Sequence, residues 1–274
     1  SDSAPPHLKT GTLDFRTGNS RMPSAVVPLS AYVNTVCVEA SQWIYTVDQG
    51  GLFSRFDPAT VTFTDIAQLA CPDPSTPNSM AVDQNAVAWV AYTDGQMFSV
   101  DTTTGACTPT NFQVGQDGLI VFGMGFVFDP TNGNDTLYIA GGGTTQISSS
   151  TLATVAFPSL TVSPVGTVPG LPELSGLGDG TLWGFVPDFE SPMDLATLYQ
   201  LSPVDGAILQ TFTYPALSGT QSWAMKFWGG YFYIFVGDTI YQVSRNAPKT
   251  FTTTVQHTGR FIVGAGVSTC APLQ

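Results

Sequence analysis

An aromatic residue returns along this chain every forty-five to fifty positions, each time inside a short run rich in β-branched and aromatic side chains. Trp43 (QWIYTV), Trp89 (AWVAYT), Tyr138 (TLYIAG), Trp183 (TLWGFV) and Tyr233 (YFYIFV) follow one another at intervals of 46, 49, 45 and 50 residues. A second run trails the first in step, as Leu52–Thr60, Met97–Gly105 and Leu198–Gly206, with weaker copies at Gln146–Ser150 and Ile240–Ser244. Ahead of each aromatic run lies a segment rich in Gly, Ala or Met: Ser79–Asp83, Gly123–Asp129, Leu174–Asp179, Trp223–Trp228 and Ile262–Ser268. The clearest unit is Ser79–Phe112, where four alternating segments are separated by Asp83-Gln84-Asn85, Thr93-Asp94-Gly95 and Thr102–Gly105. That pattern predicts four antiparallel strands and three tight turns. One such sheet cannot bury its faces alone, and four strands per unit at a period in the forties is the signature of a β-propeller. Small residues then crowd the narrow centre and aromatic ones fill the space between blades.

The expected fold class is therefore all-β, a β-propeller of four-stranded antiparallel blades. Residues 1–38 read as an N-terminal extension, partly disordered, and residues 39–274 as one propeller domain. The number of blades depends on the first strand of the blade that holds residues 42–70. Val36–Ala40 is one choice. The other is Ile262–Ser268, arriving from the far end of the chain, which gives five blades in a ring closed by a C-terminal strand. Five sets of second, third and fourth strands need five first strands, which favours the second choice. The alternative is six blades, the last built from Ile262–Ser268, Leu8–Arg16 and Ser24–Tyr32 and left one strand short. No run of eighteen apolar residues occurs, so no membrane-spanning helix is expected. No basic, apolar leader opens the sequence, so an export signal or lipid anchor would precede residue 1.

Eight Lys plus Arg stand against twenty Asp plus Glu, a net charge of −12. Such a surface repels phosphate backbones and argues against nucleic acid as a partner. It suits cations, although acidity also serves solubility. The four cysteines, Cys37, Cys71, Cys107 and Cys270, lack the CxxC spacing of a zinc site. An even count in a Thr- and Ser-rich chain fits two disulfides and an exported protein, periplasmic, cell-surface or extracellular. On the five-bladed closure Cys270 follows the last inner strand and Cys37 just precedes the first aromatic run, on the same face, so the expected pairs are Cys37–Cys270 and, by elimination, Cys71–Cys107. The second pair is awkward: Cys71 ends an outer strand near the top and Cys107 begins the next near the bottom.

Strand direction alternates, so the turns between second and third strands share one face, the top, with the links that enter each first strand. Four blades place an acid at that turn: Asp48, Asp94, Asp188 (with Glu190 and Asp194) and Asp238. Carboxylates and loop carbonyls are what calcium takes, which makes calcium the one candidate cofactor. Asp-Gly and Asp-Gln-Gly-Gly are also ordinary hairpin turns, in which Asp bonds its own backbone. Gly141–Gly143 is followed by Thr rather than by Lys and a helix, so it makes a poor phosphate cradle. His7 and His257 are the available imidazoles and no Gly-x-Ser-x-Gly elbow occurs. No catalytic residue is therefore assigned. The expected ligand-binding residues are Glu173, Trp223 and Arg260 at the axis with Asp188 and Phe189 on the longest top turn.

Met97–Gly105 and Leu198–Gly206 resemble the repeats of bacterial exported β-propellers, which include quinone-binding enzymes and pure scaffolds. The ending Gly264–Pro272 resembles lipoprotein-type propellers of myxobacteria. The tryptophan-docking motif of the quinone enzymes is absent. Against the Glu, Asn and Asp that calcium-dependent lactonase propellers place at inner strand starts, the matching positions here are Asn78, Glu173, Ser222 and Arg260. Two functions follow as expectations. The first is a monomeric, non-catalytic recognition or scaffold domain that binds a glycan, peptide or protein on its top face. The alternative is a calcium-dependent hydrolase or lyase working at the axis.

Overall fold

The computed structural model describes residues 43–144, 148–187, 195–215, 217 and 222–274. The chain divides into two compact units, Ser1–Val33 and Asn34–Gln274; the first lies outside the described residues. The second is a five-bladed β-propeller of twenty described strands in five four-stranded antiparallel sheets.

Blade 1 runs from the axis outward as β20 (Ile262–Gly266), β1 (Ile44–Asp48), β2 (Leu52–Asp57) and β3 (Thr62–Gln68). Blade 2 is β4 (Pro77–Val82), β5 (Val87–Tyr92), β6 (Met97–Asp101) and β7 (Cys107–Pro109), and blade 3 is β8 (Val121–Asp129), β9 (Asn134–Gly142), β10 (Ser149–Ala156) and β11 (Thr161–Pro169). Blade 4 is β12 (Glu173–Gly176), β13 (Leu182–Val186), β14 (Leu195–Leu201) and β15 (Ile208–Pro215), and blade 5 is β16 (Trp223–Trp228), β17 (Tyr231–Val236), β18 (Thr239–Ser244) and β19 (Phe251–Val255). The inner strands pack in the order β4, β8, β12, β16, β20 and back to β4. The C-terminal strand β20 pairs with β1, Tyr45 opposite Gly266, so it occupies the place for which Val36–Ala40 was the other choice. Five blades, not six, are the result.

Close approach at the axis explains the composition of the inner strands. A Cβ on Gly176 would lie 2.0 Å from the carbonyl oxygen of Phe126 on the neighbouring inner strand, and one on Gly123 would lie 2.1 Å from that of Pro172. Only glycine lets the backbones meet there. Farther out, apolar side chains of adjacent blades form the core, for example Met97 of blade 2 with Phe122, Met124 and Ile139 of blade 3.

The aromatic positions hold most of the expected places, with two differences. Tyr138, Trp183 and Tyr233 are buried, and the two tyrosines donate to carbonyls in a turn of the next blade, Tyr138 to Pro203 at 3.1 Å and Tyr233 to Pro58 at 3.3 Å. In blade 1 the buried aromatic at the equivalent register is Tyr45, 4% exposed, not Trp43. Trp43 precedes the strand, half-buried beneath the Arg55 guanidinium at 4.3 Å. Trp89 is also half-buried, with its edge against Phe157 and its indole N–H on Asp83 at 3.2 Å. Blade 3 differs as well: its third strand is Ser149–Ala156, with Thr154 opposite Tyr138, later than the Gln146–Ser150 copy indicates.

The Cys71–Cys107 disulfide forms, with Cα atoms 5.1 Å apart. The awkwardness of this pair vanishes because blade twist tilts each outer strand toward the lower corner of the next blade. Gly105, beside Cys107, lies against Ala67 at the end of β3, and the same approach recurs between Gly166 of β11 and Asp205 in blade 4. Cys270 is also disulfide-bonded; Cys37 lies outside the described residues.

Candidate functional site

The centre of the ring is filled by two long side chains that oppose small ones. Lys226 on β16 and Glu173 at the start of β12 are 2% and 5% exposed at the side chain, while blades 3 and 1 present Gly123, Gly125, Gly264 and Gly266. The Lys226 ammonium donates to the carbonyl of Met124 on β8 at 2.7 Å and to that of Leu174 on β12, and lies 4.0 Å from Glu173 Oε2. The same carboxylate oxygen accepts from the Ser79 hydroxyl of β4 at 3.1 Å, and the Ser79 oxygen accepts the Met124 N–H at 3.1 Å. Ser175 on β12 accepts the Phe227 N–H of β16 at 3.0 Å. Polar bonds thus join blades 2, 3, 4 and 5 through groups with almost no contact with water. Burial pushes the Glu173 carboxyl up and the Lys226 ammonium down, and the charge of each opposes the shift of the other.

Above this pair the top face opens into a shallow depression lined by Asn78, Phe122, Gly123, Leu171, Pro172, Glu173, Trp223 and Val263, with a volume of about 320 Å³ including open solvent. These residues lie at or just before the points where inner strands enter the ring, so the fold itself gathers them. The Asn78 amide donates to the Phe122 carbonyl at 3.1 Å and fixes the rim between blades 2 and 3. Below the pair, the residues after β20 cover the other end of the axis. Val267, Ser268, Thr269 and Ala271 are buried, the Pro272 carbonyl accepts the Gly229 N–H at 2.8 Å, and the Thr269 hydroxyl donates to Asp135 at 2.6 Å.

Of the expected site residues, Glu173 and Trp223 meet in the depression. Arg260 does not line it: its guanidinium is 2.7 Å from Asp65 and 3.0 Å from the Ser54 hydroxyl, above the Phe63 ring, so it braces the outer part of blade 1. Asp188 and Phe189 lie outside the described residues. Of the expected calcium ligands, the three described ones, Asp48, Asp94 and Asp238, are each engaged within their own blade. Asp48 accepts the Leu52 N–H at 2.8 Å, Asp94 accepts the Gln96 N–H at 3.0 Å, and Asp238 faces His257 at 3.1 Å. Among the described residues, no group of three or more His, Cys, Asp or Glu is placed to hold a metal ion. The hairpin requirement for Asp accounts for these positions.

Sequence reasoning missed Lys226 and Ser79. The signal for Lys226 was present: a lone Lys inside WAMKFW, on an inner strand with no water beside it, needs an acidic partner.

No family model and no curated protein matches this chain. Among solved structures it is similar to a chain in the crystal structure of a nidogen/laminin complex, at 14% identity over 82% of this chain and 97% of that one, with a TM-score of 0.52. It is also similar to a protein of unknown function from Bacteroides caccae, at 14% identity over 78% of this chain and 73% of that one, with a TM-score of 0.42. At such identity the likeness shows the fold alone.

Proposed function

We propose that this propeller is a non-catalytic, exported recognition domain that holds a protein partner in the depression on its top face. The observation that carries this reading is the combination at the axis of a rigid floor and an open mouth of mixed apolar and polar character. Lys226, Ser79 and Glu173 Oε2 are engaged with one another and with backbone carbonyls, so they serve as a fixed floor. Phe122, Leu171, Pro172, Trp223 and Val263 form an apolar wall around one carboxylate and one amide, the mixture that makes a small pocket an anchor point for a partner side chain. The Cys71–Cys107 disulfide fits an oxidising compartment. A similar propeller fold occurs in the nidogen/laminin structure, whose name is that of a protein complex.

The test is a screen of the purified protein against peptide, glycan and extracellular-protein arrays, repeated with Trp223→Ala and Asn78→Ala. Binding to a protein or peptide that both substitutions weaken supports the reading. A ligand whose binding neither substitution changes places recognition elsewhere on the ring.

A further inference from the structure

Within that reading of the top face, we infer that the axial depression is a socket for a single lysine side chain of the partner protein. Glu173 is 4% exposed as a residue, and one of its two carboxylate oxygens, Oε2, is committed to Ser79 and Lys226. Among the described residues Oε1 has no hydrogen-bond partner, and Glu173 forms part of the wall of the depression. Oε1 is not sealed from the depression, so a ligand donor can reach it there. Asn78 donates its amide hydrogen to the Phe122 carbonyl, which leaves its own carbonyl oxygen as a second acceptor on the same wall. Lys226 is already turned to Met124 and Leu174, and among the described residues no basic side chain lines the depression.

The fitting ligand is a donor-only head on an apolar stem. A lysine ammonium carries donors and no acceptor, and its methylene stem packs on apolar walls such as Leu171, Pro172 and Val263. Arginine is the poorer match. Its planar fork binds best to two free carboxylate oxygens, and here one of the two is taken. Sugar hydroxyls can donate to the same oxygens but bring neither a positive charge nor a methylene stem. The net charge of −12 also favours approach by a basic surface.

The experiment uses four acetylated, amidated peptides, Gly-Gly-X-Gly-Gly, with X as lysine, norleucine, arginine or acetyl-lysine. Binding is followed by the indole N–H signal of Trp223 in NMR spectra, assigned with Trp223→Phe. The lysine peptide is expected to saturate in the millimolar range and to bind at least about tenfold more tightly than the other three, the scale of one charge-assisted hydrogen bond. Glu173→Gln is expected to remove that preference. Because this substitution also touches the buried pair, its melting temperature is measured alongside, and Asn78→Leu, outside the pair, is expected to weaken lysine binding by about threefold to tenfold. Norleucine or arginine binding as tightly as lysine, a lysine preference that survives in folded Glu173→Gln, or no response to the lysine peptide overturns the inference. If a neutral peptide or a glycan binds and Trp223→Ala abolishes it, the lysine socket falls while the recognition face stands. If a partner binds equally well to Trp223→Ala and Asn78→Ala, the recognition face itself falls.

Discussion

Replacing Lys226 by methionine isolates what the buried pair does for the ring. Methionine keeps most of the aliphatic length, so the change removes the ammonium rather than the packing. Three partners are then stranded: the carbonyls of Met124 and Leu174 and the carboxylate of Glu173. Each carbonyl left without its donor costs about 1 kcal/mol, and the loss of one member of a buried ion pair totals about 3–5 kcal/mol. Glu173 has a route of relief, since it can take up a proton. Burial raises its pKa, and without Lys226 nothing of opposite charge pulls it back, so its folded value lies well above the unfolded value near 4.5. A carboxyl whose folded pKa is raised is most costly above that pKa, and the cost disappears as pH falls to the unfolded value. The deficit of Lys226→Met, measured by urea unfolding, is therefore expected to be largest near pH 8 and to shrink toward pH 5. Lys226→Met combined with Glu173→Gln should recover the pH-dependent part and leave the two carbonyls. A single variant within about 1 kcal/mol of the parent, or a deficit that grows as pH falls, would show that the pair does not work as a buried charge couple.

Trp183→Ala, which removes a side chain 3% exposed and packed 4.9 Å from the Phe232 ring, is expected to cost about 3–5 kcal/mol in urea unfolding, and the half-buried Trp89→Ala about 2 kcal/mol; the reverse order would break the assignment of Trp183 as a core anchor. Asp135 is pushed up to about 6, chiefly by burial, against an unfolded value near 3.8, so stability should rise as pH falls through that window, by at most about 3 kcal/mol, and Asp135→Asn should flatten that slope. A parent protein and a variant with parallel pH profiles would exclude Asp135 as the source. Non-reducing peptide mapping is expected to join Cys270 to Cys37, with the bond between Cys71 and Cys107 as the second cross-link; a free thiol at Cys37 would refute the first pairing.

The blades were legible because a propeller repeats its constraints. The same spacing of aromatic strand, Asp- or Ser-started turn and small inner strand comes round five times, and the C-terminal segment Ile262–Ser268 falls into place by counting. Register within one blade was less legible: Trp43 and Tyr45 are two residues apart in sequence, and only the pairing of Tyr45 with Gly266 selects between them. At the site, Glu173 and Trp223 were legible as residues at strand starts. Arg260 lies four residues before Gly264, the register equivalent of Glu173, so it falls short of the inner strand, and Asp65 and Ser54 hold its side chain in blade 1. Proximity along a strand fixes where a Cα lies, whereas the direction of a charged side chain depends on partners far away in sequence. Lys226 shows the same limit, since its acceptors lie 102 and 52 residues away.

The difference between the two ends of the axis follows from how the ring is closed. Every inner strand runs from top to bottom, and β20 is the last of them, so the residues after Gly266 emerge at the bottom beside the axis. Of the residues that follow, Val267, Ser268, Thr269 and Ala271 are buried. Thr269 reaches Asp135 of blade 3, which also accepts from Gln84 of blade 2, and Pro272 receives the Gly229 N–H of blade 5. A closure made by a C-terminal inner strand therefore covers its own lower opening with its own tail. The top receives five incoming links instead, and at the axis its depth is set by Lys226 and Glu173, which fill the channel one layer below the mouth. Among the described residues the axis is thus covered below, tied in the middle and open above, with Glu173, Asn78 and Trp223 at its mouth.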